Sequence, residues 1–291
     1  MPKLLLIGSQ GQVGQELLQT LPPIGEVISV SRAELDLSQP EAITELIETV
    51  KPNYIINAAA YTAVDKAESE PELAKQINTI APAIMAQAAK SLQATLLHIS
   101  TDYVFDGTKN TPYLETDPTN PLGIYGRSKR DGEEAIQAVG GRYIILRTAW
   151  VYGTQGKGNF VKTMLRLGQE REILKVVSDQ IGSPTWSYDI AVRITEIFQH
   201  LEQIPTGVYH FTNSGVISWY DFAMNIFEEA RRLEVPLKLQ QVIPITTDQY
   251  PTPAKRPAYS VLSNQGLIDC LGTYPPYWRE SLKKMLGELL G

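Results

Sequence analysis

Four residues between positions 98 and 130 carry the groups needed to hand over a proton. Ser100 and Thr101 close an apolar run, and Tyr125 and Lys129 follow in the stretch Tyr125-Gly126-Arg127-Ser128-Lys129. On a helix, i,i+4 spacing projects both side chains from one face into one small volume. A phenol beside an ammonium and a hydroxyl makes a proton donor. A free phenol has a pKa of about 10, and a neighbouring ammonium favours the phenolate and lowers that value. The shift brings it towards the range in which general acid–base transfer works. Side chains alternate along a strand, so only one of Ser100 and Thr101 faces a cleft. The residue types alone leave open which one.

The segments before this stretch read as a scaffold that positions it. Residues 3–7 are a short β-like run, followed by Gly8-Ser9-Gln10-Gly11-Gln12-Val13-Gly14 and a helical segment over 15–20. Strand, glycine turn and helix together cradle a phosphate: glycine lets the backbone approach closely, and the helix start offers free N–H groups. Gly8, Gly11, Gln12 and Val13 are the candidate contacts. The spacing is G-x-x-G-x-x-G rather than the G-x-G-x-x-G dinucleotide fingerprint. A second strand over 26–30 is followed first by Ser31 and Arg32, and only later by Glu34 and Asp36. An arginine at that place accommodates the extra phosphate of NADP. The expected cofactor is therefore NADPH, with NADH as the alternative and Asp36 nearer the adenine. A third strand over 53–57 leaves through Ala58-Ala59-Ala60, small side chains against which a flat ligand can lie.

Asp65, Glu68 and Glu70 read as helix-start carboxylates, and 72–91 as one long Ala-rich helix. His98, inside a fourth strand over 94–99, is expected to be a satisfied core histidine, because His200 and His210 offer no clustered partners. Residues 106–123 are rich in turn chemistry and long for a connection, which predicts a substrate-facing loop. A fifth strand over 143–146 leads to Arg147-Thr148-Ala149-Trp150.

Five alternations of strand and helix predict an α/β fold: a doubly wound parallel sheet, Rossmann-like, over residues 1–153. The chain is expected to return to this dinucleotide-binding domain around 173–201. Residues 154–291 are expected to form mainly a smaller, mixed substrate-binding lobe. Its elements are helices over 159–168, 188–201, 218–232 and 278–290 and strands over 175–177 and 207–211. Ser218 is the expected N-cap of the third of these helices, with Asp221 at N3.

Composition narrows the class. The chain has 291 residues, 43% apolar and 20% charged, with a net charge of −6. These values exclude disorder and argue against nucleic acid or an anionic membrane as the main partner. The lone Cys270 excludes an internal disulfide and gives no metal-ligand spacing. No apolar run approaches about twenty residues, so the expectation is a cytoplasmic protein without a membrane span.

The combined motifs resemble the extended short-chain dehydrogenase/reductases, and within them the dTDP-4-dehydrorhamnose reductase family. The matching stretches are Gly11-Gln12-Val13-Gly14, Asn57 through Glu68, Ser100 through Gly107, Tyr125 through Lys129, Arg147 through Gly153, and Arg256-Pro257. The resemblance implies NAD(P)H-dependent reduction of the 4-keto group of a dTDP-linked 6-deoxy sugar, forming dTDP-L-rhamnose. By it, Gly11 to Val13 hold the pyrophosphate, Asp36 and Leu37 the adenine, and Ala58 to Ala60 the middle of the cofactor. Thr101 polarises the carbonyl and Tyr125 donates the proton, while Lys129 holds the nicotinamide ribose. Asp102, Tyr103, Val104 and Trp150 meet the sugar, and Arg256 faces the diphosphate. Gln10 departs from the threonine common in relatives. Some relatives hold Mg²⁺ with acidic residues at a dimer interface. Glu16 and Asp189 are the candidates here, and both the metal and the choice between monomer and homodimer stay open. Two other readings remain: a sugar-nucleotide epimerase of the same superfamily, and a non-catalytic NAD(P)-binding regulatory subunit.

Overall fold

The structure, a computed structural model, describes all 291 residues from Met1 to Gly291. In chain order its sheet-forming part runs β1 (Lys3–Ile7), α1 (Gln12–Thr20), β2 (Glu26–Val30), α2 (Pro40–Val50) and β3 (Tyr54–Asn57). It continues with α3 (a run of Pro71–Lys75, Gln76–Ile80 and Ala81–Ser91), β4 (Thr95–Thr101), α4 (Ile124–Val139) and β5 (Arg142–Thr148). The sheet is completed far downstream by α5 (Ser187–Gln199) and β6 (Gly207–His210). The strands lie in the order β6-β5-β4-β3-β1-β2, all parallel. This is a doubly wound, Rossmann-like sheet whose strand order reverses between β1 and β3, where such folds open a crevice at the carboxyl edge.

Alternation along the strands builds both layers. Leu4 and Leu6 of β1 face α1 and α5, together with Ile56, Leu97, Ile144 and Leu146. Leu5 and Ile7 face the opposite way, towards α2 and α3, together with Ile55, Leu96 and Ile145. All are buried, and each such side chain contributes roughly 1.5–3 kcal/mol of transfer free energy. The middle of α3 is π-helical over Gln76–Ile80, just ahead of Pro82. A proline has no N–H to give to the ladder, and the wider turn accommodates that gap.

The expected return around 173–201 divides. Ile173–Val177 stays in the second lobe, paired in parallel with Gln241–Ile245. The segment that comes back is later: α5 lies along α1, and β6 adds an edge strand beside β5. The second lobe packs helices Phe160–Glu170, Trp219–Arg232 and Trp278–Leu290 around Tyr152, Trp186, Phe222 and Phe227. Ser218 caps its helix with a full capping box to Asp221. No helix is long and apolar enough to cross a membrane.

Candidate active site

A cavity of about 810 Å³ opens at the carboxyl edge, where β1, β3, β4 and β5 end. One end is the glycine turn. Gly8 has φ +90°, and a Cβ there would sit 2.8–2.9 Å from the Ala59 backbone and Cβ. A Cβ on Gly14 would lie 2.1 Å from the Gly8 carbonyl oxygen. Both positions therefore require glycine. Gly11 caps α1 without any side-chain bond, so the first amides of that helix are open to an anion. Gln12, Val13, Ala58, Ala59 and Ala60 line the same space. At the rim beyond β2 stand Ser31, Arg32, Asp36 and Leu37. Ser31 gives its N–H and hydroxyl to Glu34 at 2.8 and 2.7 Å. Two bonds from Ser38, both 2.9 Å, fix the Asp36 carboxylate and hold it below the usual carboxylate range. The residues present fit a dinucleotide along this groove.

At the other end β4 delivers Thr101, and α4 delivers Tyr125 and Lys129. Thr101 and Lys129 are buried and Tyr125 is 9% exposed. The hydroxyl of Thr101 reaches the Tyr125 phenol, donates to Asp102 Oδ1 at 3.1 Å and accepts the Tyr103 N–H at 3.2 Å. Tyr103 packs edge-on against Tyr125 with ring centroids 5.5 Å apart. Ser100 points the other way and donates to Glu133 at 2.5 Å. Burial pushes the Asp102 carboxyl up to about 6, against the hydrogen bonds that favour its charged form. Trp150 lines the cavity with φ +49°, an uncommon conformation for a bulky residue. It stacks on Trp219 at 3.5 Å.

Several expectations change here. The Tyr125 phenol is not lowered: burial pushes it up to about 12, and nearby Asp102 adds to the rise. Lys129 does not reach across to it, because Nζ is bonded to His98 and to the Ile99 carbonyl. Val104, expected to meet the sugar, has its side chain fully buried. A 3₁₀ turn over Asp102–Val104 ends the strand alternation and rotates Val104 into a cluster with Phe105, Tyr113 and Leu262. Arg256 does not line the cavity; it is clamped on Asp65 through contacts of 3.1 and 2.8 Å. The 106–123 loop also stays outside, tied down where the Asp106 carboxylate gathers Thr108, Tyr113 and Asn120.

Glu16 and Asp189 do not make a cation site within one chain. Glu16 accepts from Ser187, Asp189 accepts from Asn213 and Ser281, and no three His, Cys, Asp or Glu side chains cluster anywhere. Sequence reasoning missed Asn159, which lines the cavity and donates to Gln12 and to the Gly153 carbonyl at 2.8 Å each. It also missed the contact between His98 and Lys129.

Compared with known proteins, the chain matches the RmlD substrate binding domain family over residues 2–290. It is 44% identical to a dTDP-4-dehydrorhamnose reductase of Burkholderia thailandensis, covering 99% of each chain. The chain belongs to the dTDP-4-dehydrorhamnose reductase family. A family structure from Clostridium acetobutylicum superposes with a TM-score of 0.92 at 41% identity, covering 99% of both chains. Another family member, from Bacillus anthracis, was solved in complex with NADP. It matches with a TM-score of 0.91 at 37% identity, again over 99% of both.

Proposed function

We propose that this chain reduces the 4-keto group of dTDP-4-dehydro-L-rhamnose to give dTDP-L-rhamnose, with NADPH as reductant and Tyr125 as proton donor. The observation that carries the reading is the meeting of Thr101, Tyr125 and Lys129 at the end of a cavity whose other end is a glycine turn, in a chain of this family. The glycine turn, Ala58 to Ala60, Ser31, Arg32, Asp36 and Leu37 would hold the cofactor. Bound there, NADPH supplies the hydride for the carbonyl carbon.

The chain's own residues do the rest. Thr101 donates to the carbonyl oxygen and stabilises negative charge as it develops. Tyr125 passes its phenolic proton to that oxygen, which leaves as the alcohol, and the phenolate regains a proton from solvent. Burial holds the Tyr125 phenol up at about 12, and the charge of Lys129, turned towards Tyr125, would ease release of its proton. Asp102 and Trp150 orient the sugar, and Tyr103 backs the Tyr125 ring. The sheet part, completed by α5 and β6, serves the cofactor, and the remainder of 154–291 closes over the sugar nucleotide.

The test is loss of NADPH absorbance with dTDP-4-dehydro-L-rhamnose, run in parallel with the UDP analogue. Oxidation coupled to dTDP-L-rhamnose formation is expected, faster with the dTDP sugar. A protein that binds NADPH and oxidises it with neither sugar overturns the reading in favour of an epimerase or a regulatory subunit.

A further inference from the structure

Lys129 Nζ is enclosed by protein, and its neighbours dictate which atoms carry protons. Nζ lies 2.8 Å from the Ile99 carbonyl oxygen and 2.9 Å from His98 Nε2. The other ring nitrogen of His98, Nδ1, lies 3.0 Å from Asn57 Nδ2. Asn57, His98 and Lys129 are all buried. The Asn57 amide cannot be turned round, because its Oδ1 accepts the Ala59 backbone N–H at 3.1 Å. A flip would set two N–H groups against each other. Asn57 Nδ2 is therefore a donor and His98 Nδ1 an acceptor, and the neutral imidazole carries its proton on Nε2.

That Nε2–H points at Lys129. An ammonium has donors only, whereas an amine has a lone pair to accept with. Only the amine completes the series from the Ala59 N–H through Asn57, His98 and Lys129 to the Ile99 carbonyl. Four titratable groups border the pair. Glu133, one turn on in α4, favours the ammonium, but its carboxylate is occupied by Arg147 at 2.6 Å and by Ser100. Tyr125 on the same helix and Asp102 beyond β4 lie towards the cavity. Burial outweighs Glu133 and pulls Lys129 down to about 8, and it keeps His98 neutral.

We infer that His98 is a positioning residue for the active-site lysine: its Nε2–H, oriented by Asn57, favours the neutral amine of Lys129 in the free protein, and binding of the anionic cofactor shifts the lysine to the ammonium with a proton taken from solvent. Once charged, Nζ can no longer accept from His98. It is released towards Tyr125, so cofactor loading tunes the proton donor. The inference rests on the reading of Lys129 as an active-site residue.

Two measurements without any sugar nucleotide test it, so they are independent of the turnover assay. First, histidine-selective ¹³C/¹⁵N NMR reads the tautomer of His98 in the free protein, assigned by elimination with His200→Gln and His210→Gln. Nε2–H with a bare Nδ1 is expected at about pH 8.5 to 9, where the amine dominates; the Nδ1–H form overturns the inference. Second, calorimetry of NADPH binding at about pH 8.5, in buffers of different ionisation heat, counts protons. Uptake of roughly half a proton or more per cofactor is expected, lost in Lys129→Met. It is also lost in Asn57→Asp, where a second acceptor oxygen moves the imidazole proton to Nδ1 and presents Nε2 as an acceptor to an ammonium. No uptake by the unaltered protein, or equal uptake by Lys129→Met, overturns the inference.

Discussion

Ser100 and Thr101 are neighbours in the chain and opposites in the structure. Ser100 Oγ donates inward to Glu133, beneath the site, while Thr101 Oγ1 faces Asp102 and the Tyr125 phenol. Their loss should therefore read out differently. Thr101→Val is expected to lower kcat at least about a hundredfold, the scale for losing a donor to a developing oxyanion. Thr101→Ser should recover most of it. Ser100→Ala should leave kcat within about threefold, and cost about 1–3 kcal/mol by removing a donor from the buried Glu133 carboxylate. Steady-state kinetics beside thermal unfolding separates the two, and a large kcat loss in Ser100→Ala would contradict the assignment.

Tyr125→Phe removes one oxygen from a buried side chain and leaves the edge contact with Tyr103 in place. Turnover should fall at least about a hundredfold, with NADPH affinity within about threefold of the parent, because the phenol is a proton source rather than a main cofactor anchor. Fluorescence titration and stopped-time product analysis measure the two quantities. Retained turnover would remove Tyr125 from the role.

Asp102 gives a pH-dependent prediction whose sign follows from its burial. Its folded pKa, about 6, lies above the ordinary 3.8. The native state therefore binds this proton more tightly than the unfolded chain does, and stability falls as pH rises from about 4 through 6. Above that window the buried carboxylate costs up to about 3 kcal/mol. Asp102→Asn should stabilise by up to that amount at about pH 7.5, and by only about 1 kcal/mol at about pH 4.5. The same change should raise KM for the sugar nucleotide about tenfold or more, as expected where a charged acceptor is lost. Equal stabilisation at both pH values would show that the carboxylate is not strained by its burial.

What the sequence made legible was local. The i,i+4 pair on α4, the glycine turn after β1 and the capping box at Ser218 depend on residues close in the chain, and their spacing predicts them. Contacts set by strand order were invisible. His98 and Lys129 meet because α4 crosses the end of β4, and Asn57 joins them because β3 pairs with β4 in register, Asn57 beside His98. Nothing in the spacing announces β6 as the sixth strand, since its partner β5 lies across an intervening lobe. The 3₁₀ turn after Thr101, which sets the Val104 side chain among Phe105, Tyr113 and Leu262, was equally hidden, because it breaks the strand alternation. The pairing of Arg256 with Asp65 was hidden in the same way, because the two are 191 residues apart.

Arg32 is the residue expected to set the cofactor preference. Three cations line the cavity, and two are already engaged: Lys129 is enclosed at the far end, and Lys66 is paired with Glu70 at 2.7 Å. Arg32 stands exposed beyond β2, in no ion pair of its own and close enough to Asp36 to help keep that carboxylate charged. Its neighbour Ser31 is spent on Glu34, so the guanidinium is the group left to meet a 2′-phosphate. Charge-assisted bonds of this kind contribute about 1.5–3 kcal/mol. Arg32→Ala should therefore weaken NADPH binding by roughly ten- to a hundredfold, and NADH by less than about threefold. Because the contact lies at the surface, the NADPH advantage should shrink as salt rises. Parallel titrations with both cofactors at two ionic strengths give all four affinities, and equal losses for NADPH and NADH would place the discrimination elsewhere.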